Sequence, residues 1–185
     1  MITTKRNGLI FIIAFFLMGG CGGDETYTKY SRYKADFAFF YVQTTTPLRE
    51  ALYSPGIYCT IKLTATGKLV FTSLNNSLSL NVGDNAYYQK YVCISGFLVG
   101  YSNMIEMGAD EMNRVCYDLA CSNCYHDDAI KRDLTLKENG IAYCQRCKRT
   151  YSLNNMGMIS SGDPGRPLER YHISLPDPNR MVIYN

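Results

Sequence analysis

Apolar and polar residues alternate with a period of two along much of this chain of 185 residues. The stretch 77–82 (SLSLNV) is the cleanest case, with Leu78, Leu80 and Val82 on one face. Segments 37–44, 58–63, 68–73, 87–96, 97–101 and 115–120 are predicted strands, and 58–73 reads as a hairpin turning at Thr66-Gly67. Further strands are predicted at 133–137 and 141–143, around Glu138-Asn139-Gly140, where Asn-Gly is a strong hairpin signal. The last candidates are 168–175 and 181–184. Segment 105–114 is expected to be a loop with at most one helical turn. Beyond the first twenty residues no helical period is sustained. The pattern predicts an all-β fold, a barrel or sandwich, as one domain over 36–185.

The first twenty residues break this pattern. Lys5 and Arg6 precede an apolar run, 9–18 (LIFIIAFFLM). That run is too short for a bilayer core of about 30 Å and right for the apolar part of an export signal. Gly19, Gly20 and Cys21 follow. This order resembles a bacterial lipobox, in which the cysteine is acylated and becomes the mature N-terminus. The resemblance implies a signal peptide over 1–20 and lipidation at Cys21. The alternative is plain cleavage with an ordinary cysteine. Residues 21–35 (CGGDETYTKYSRYKA) read as a flexible, lipidated tether. Its Gly-Gly-Asp-Glu start resembles surface-exposed lipoproteins of Bacteroidetes, which implies a cell-envelope location on the outer membrane, with the membrane itself as a partner.

Charge adds little. The formal net charge is +3, and without Lys5 and Arg6 it falls to +1. No Lys/Arg stripe points to a nucleic acid. Tyr and Phe are plentiful (16 and 8) and Trp is absent, a balance that favours strands.

The eight cysteines change the picture more. Cys121-Ser-Asn-Cys124 and Cys144-Gln-Arg-Cys147 form C-x2-C-x19-C-x2-C, the spacing of a four-cysteine metal site. Each C-x-x-C turn aims two thiolates at one point, and two such turns complete a tetrahedron. Zinc takes four thiolates at about 2.3 Å in that geometry. In an exported chain, disulfides are the competing reading. Of the remaining thiols, Cys59 and Cys93 lie in predicted strands, and either a bridge between them or two buried thiols fits. Cys116 is expected to be buried.

One further pattern surrounds these cysteines. Cys124-Tyr-His126 followed by Cys144-x-x-Cys147 is similar to the C-x-H and C-x-x-H pairs of Rieske domains, with Cys147 in place of the last histidine. Tyr151-Ser-Leu153, Gly157, the loop 162–168 (GDPGRPL) and Tyr171 continue the resemblance over roughly 115–175. It implies Rieske-like stacked antiparallel sheets, with a small metal-binding part made of two hairpin loops under a Gly-Pro loop. It also implies a [2Fe–2S] electron carrier with a redox partner. Cys121 has no place in that pattern. The paired C-x-x-C turns favour Cys121, Cys124, Cys144 and Cys147 as ligands, with His126 an alternative ligand or a neighbour of the site. Export of an unfolded chain favours an ion that binds afterwards, zinc or a single iron.

No catalytic constellation is seen. His126 and His172 are the only histidines, and neither falls in a nucleophile–base pattern. The sequence therefore predicts an exported, lipid-anchored metal-binding protein. Its centre is either structural, on a domain that meets a protein partner, or a one-electron carrier.

Overall fold

The computed structural model describes residues 29–81, 88–105 and 113–185. The predicted leader, Cys21, the end of the 77–82 strand at Val82 and the core of the 105–114 loop lie outside the described residues.

The fold is all-β, as the alternation predicts. Nine strands form one antiparallel sheet: β1 (Asp36–Phe39), β2 (Tyr58–Leu63), β3 (Lys68–Thr72), β4 (Ser77–Asn81), β5 (Tyr88–Val92), β6 (Phe97–Tyr101), β7 (Arg114–Asp118), β12 (Arg170–Asp177) and β13 (Arg180–Tyr184). Their order is β4-β3-β2-β6-β7-β12-β13-β1-β5. A smaller antiparallel sheet holds β8 (Thr135–Lys137), β9 (Ile141–Tyr143), β10 (Thr150–Ser152) and β11 (Met158–Ser161), in the order β11-β10-β9-β8. Asn139, at φ 58°, and Gly140 make the turn from β8 to β9 where Asn-Gly predicts it.

The large sheet curls. Tyr91 at its β5 end donates its hydroxyl proton to Ile61 O (3.0 Å) and accepts from Leu63 N–H (3.1 Å) on β2. Inside the curl lies a core of Phe37, Phe39, Ile61, Phe71, Phe97, Val99, Tyr171 and Ile183. A second core forms on the outer face of the same sheet. There Tyr58, Leu98, Val115 and Tyr117 pack against Ala142, Tyr151 and Leu153 of the small sheet, with Leu134 and Leu168. Strands β6 and β7 are thus covered on both faces. This is why 97–101 and 114–118 read as nearly unbroken buried runs rather than alternating ones. Each large apolar side chain so buried contributes about 1.5–3 kcal/mol.

Three expectations are corrected. Strand β1 stops at Phe39 rather than 44, because the chain bends where Val42 N–H meets Asn179 O (3.2 Å) and the Thr45 hydroxyl donates back to Tyr41 O (2.8 Å). A helix follows, α1 (Thr46–Tyr53), with proline in its first turn and Leu48, Ala51 and Leu52 buried at helical spacing.

The tether does not extend to residue 35. Ser31 N–H donates to Arg170 O (2.7 Å), Tyr30 stacks on His172 at 3.5 Å, and Ala35 N–H meets Asn185 Oδ1 at 3.1 Å. Residues 29–35 therefore belong to the domain.

Cys59 and Cys93 are free thiols. Cys59 faces the first core, opposite Val99 on β6, where burial pushes its thiol up. Cys93 lies past the end of β5, and burial pushes its thiol up to about 12. Both act as small apolar side chains, as does Cys116. The third correction concerns the site itself.

Candidate metal centre

The first cysteine pair stands at a strand-to-helix junction, not on a hairpin loop. β7 runs into Cys121, which precedes α2 (Ser122–Asp128). Cys121 N–H donates to Arg132 O (2.7 Å), and Ala120 bridges Asp133, so the returning chain holds the start of this helix. Cys121 and Cys124, three residues apart, share one helix face. The second pair does sit at a hairpin tip. Cys144 N–H donates to Arg149 O (3.0 Å) and Lys148 N–H to Cys144 O (2.9 Å), with Lys148 at φ 61°.

The two pairs converge. All four Sγ atoms lie within 4.8 Å of one another. The Cys121–Cys147 and Cys124–Cys144 separations are 3.6 and 3.7 Å. A tetrahedron of thiolates with bonds of about 2.3 Å has edges of about 3.8 Å. None of the four is bridged, and these separations are far beyond a sulfur–sulfur bond of about 2 Å. The disulfide reading is therefore set aside. The cysteines lie close enough together to bind a metal ion. Cys121, Cys124 and Cys144 are buried, and Cys147 is half-buried at the edge.

Hydrogen bonds converge on the sulfurs. Cys124 N–H reaches Cys121 Sγ, and Arg149 N–H reaches Cys147 Sγ. Tyr151 Oη lies 3.1 Å from Cys121 Sγ and 2.9 Å from Asn123 Nδ2. Since an amide nitrogen can only donate, the Tyr151 hydroxyl accepts from Asn123 and gives its own proton to the sulfur. Burial pushes Cys121 up to about 11 and raises Cys124 further. Burial also works to raise Cys147, but the Arg149 N–H and guanidinium outweigh it and bring that thiol down to about 7. Binding a cation would displace the protons of the raised thiols and relieve the cost of burying thiolates.

Loop 162–168 laces the two pairs together. Asn123 donates its second amide proton to Arg166 O (2.9 Å) and accepts from Arg166 N–H (2.9 Å). On the other side, Arg149 donates to Asp163 O (2.9 Å) and Pro164 O (3.1 Å). The Gly-Pro loop singled out in the sequence thus lies against both cysteine turns. Tyr171 does not join it; its hydroxyl donates to Asp118 Oδ2 (3.0 Å) in the first core.

His126 is not part of the sulfur cluster. Two residues beyond Cys124 on a helix points a side chain about 200° away. Its Nε2 lies 2.8 Å from Glu169 Oε1. The roles of Asn123, Arg149 and Tyr151 toward the sulfurs were not visible in the sequence. Asn123 stood inside the first C-x-x-C turn and the aromatic at 151 within a motif, but their partners lie 28 and 30 residues away in the chain.

Comparisons of the sequence and the fold match no protein family, no curated protein and no solved structure.

Proposed function

We propose that this chain is an exported, lipid-anchored domain whose four cysteines hold one structural zinc ion. The observation that carries the metal reading is the compact sulfur set, Cys121, Cys124, Cys144 and Cys147, all within 4.8 Å. A [2Fe–2S] cluster divides its four ligands between two irons, so it needs two separated pairs. The compactness supports a single ion instead. The engagement of His126 by Glu169 removes the histidine that a Rieske-type set would use on this side. Four thiolates close the coordination shell, which is the pattern of structural zinc. Such an ion would clamp α2 and the β9–β10 hairpin over β7, completing the second core. The anchor reading rests on Lys5, Arg6, the apolar run 9–18 and Cys21, and it places the domain on the cell envelope.

Elemental analysis of protein purified without oxygen tests this. One zinc per chain and no visible absorption band are expected. Iron with a strong visible band would overturn zinc and favour a single-iron electron carrier. A specific feature favours that second reading: Cys147 reaches the surface, where a redox partner could approach.

A further inference from the structure

The segment 29–35 carries both rings and cations. Tyr30 stacks on His172, and Tyr33 meets Tyr125 edge-on at 5.2 Å and His126 at 5.6 Å. Lys29, Arg32 and Lys34 are exposed, with Lys29 Nζ 5.4 Å from the centroid of the Tyr30 ring. The segment therefore crosses from β12 to α2, held by the rings of Tyr30 and Tyr33, and carries three exposed cations. Arg166, on the loop that laces the metal site, lies close enough to influence Tyr33. Exposed Lys148 stands at the tip of the second cysteine turn, next to Arg149, which grips the same loop. Two acids of this region are already engaged: Asp128 pairs with Arg146 at 2.7 Å and Glu169 with His126.

Chain length adds a constraint. Lys29 follows Cys21 by eight residue steps, which span at most about 29 Å when fully extended. A domain of this size has a radius of gyration of about 15 Å and is roughly 40 Å across. A lipid at Cys21 therefore cannot reach round the domain. It keeps segment 29–35 within about 29 Å of the bilayer, so this face can reach the surface and the opposite face cannot without turning the linker back. Asp24 and Glu25 in the connecting stretch, and exposed Asp127 and Asp163 on the domain, oppose attraction to an anionic surface, and the five cations Lys29, Arg32, Lys34, Lys148 and Arg166 outnumber these four.

We infer that this face, Lys29, Arg32 and Lys34 with Lys148 and Arg166, rests on the anionic headgroups of the membrane that carries the Cys21 lipid, so that the four-cysteine end of the domain faces the bilayer. The inference rests on the lipid-anchor reading above. Juxtamembrane Lys and Arg are each attracted to anionic lipid, and the attraction is screened by salt.

The test uses the full chain, expressed and processed in a bacterial host. It is reconstituted into neutral phosphatidylcholine vesicles or into vesicles with about one third phosphatidylglycerol. A membrane-impermeant amine reagent then labels the lysines. Labelling of Lys29, Lys34 and Lys148 is expected to fall about fivefold or more on the anionic vesicles and to recover in high salt. Lys68 on β3, four strands from β12, provides the unaffected reference. The combined Lys29→Glu, Arg32→Glu and Lys34→Glu variant should lose the protection of Lys148 while keeping its melting temperature. Equal labelling on both vesicles would overturn the inference. The intact mass of the N-terminal peptide separates the two readings. A lipidated Cys21 with equal labelling sinks the docking alone, while an unmodified Cys21 sinks the anchor and the docking with it.

Discussion

Asn123 Nδ2 and Tyr151 Oη lie 2.9 Å apart, and that contact fixes the direction of the hydrogen bond from Tyr151 to Cys121. Asn123 spends its other amide proton and its carbonyl on Arg166, so its orientation is set three times over. The phenol is left with one proton, and only the sulfur to receive it. A short helix, a strand of the small sheet and a loop thus meet at one thiolate.

Tyr151→Phe tests this relay. The variant keeps the ring in the second core but removes the donor to Cys121 and the acceptor for Asn123. One buried amide proton is left without a partner, at a cost of about 1–3 kcal/mol. Groups that orient a metal ligand change metal affinity by about tenfold or more when lost. A lower melting temperature and faster zinc release to a chromophoric chelator are expected. Unchanged release would show that Tyr151 acts only as a core side chain.

The two cores differ in their dependence on the metal. The sulfurs are part of the second core, with Tyr58, Leu98, Tyr117 and Tyr151, whereas the first core contains none of them. Chelation, or Cys144→Ser, should therefore loosen α2 and β8–β11 and leave β1, β12 and β13 intact. Hydrogen exchange followed by mass spectrometry reads this segment by segment. Protection lost in β8–β11 while β13 remains slow is the expected result. Uniform loss across the chain would mean that the two cores unfold as one unit.

Much of this arrangement is legible in the sequence, for identifiable reasons. The β2–β3 hairpin and β4 show because one face of each is exposed and alternation survives there. The cysteine spacing shows because a metal site needs fixed local turns. The helix α1 does not show: at eight residues it has too few turns to establish a period, and only proline at its start marks it. The short helix α2 is hidden by Ser122, Asn123 and Asp127, poor helix formers. It is held instead by its two ends, Cys121 to Arg132 and Ala129 N–H to Tyr125 O. The segment 29–35 looks like a tether because its composition is polar, yet Tyr30 and Tyr33 find rings on β12 and α2. Such long-range stacking leaves no local signature.

Gly165→Ala probes the loop over the cysteines. A Cβ at this position would clash with Asn123 Oδ1. Asn123 cannot step aside without breaking its bonds to Arg166 and Tyr151. The loop must then lift from α2, and a loss of about 1–3 kcal/mol is expected, as for other overpacked sites. Alkylation of Cys147 in the metal-free protein, compared between wild type and variant, reports the opening. Equal rates would show that the loop does not guard the site.

Asp118 gives the fold a pH dependence of unusual sign. Its carboxylate is buried in the first core, where burial raises it from an ordinary value of 3.8 to about 6. Four donors oppose the rise: the N–H groups of Ala120 (2.7 Å), Ile94 (2.8 Å) and Ser95 (3.2 Å), and the Tyr171 hydroxyl (3.0 Å). A carboxyl raised on folding favours the folded state in its neutral form. Its contribution is complete below the unfolded value near 4 and is lost as pH climbs through 6, amounting to about 3 kcal/mol. Asp118→Asn has no such titration, and it loses a baseline amount because its amide protons face backbone N–H groups. Urea denaturation of both proteins between pH 4 and 7 isolates the effect. The advantage of wild type over Asp118→Asn should shrink by about 2 kcal/mol as pH rises across that window. An advantage that instead grows with pH would mean that the four donors outweigh burial, and that the ionised carboxylate is the form the fold is built around.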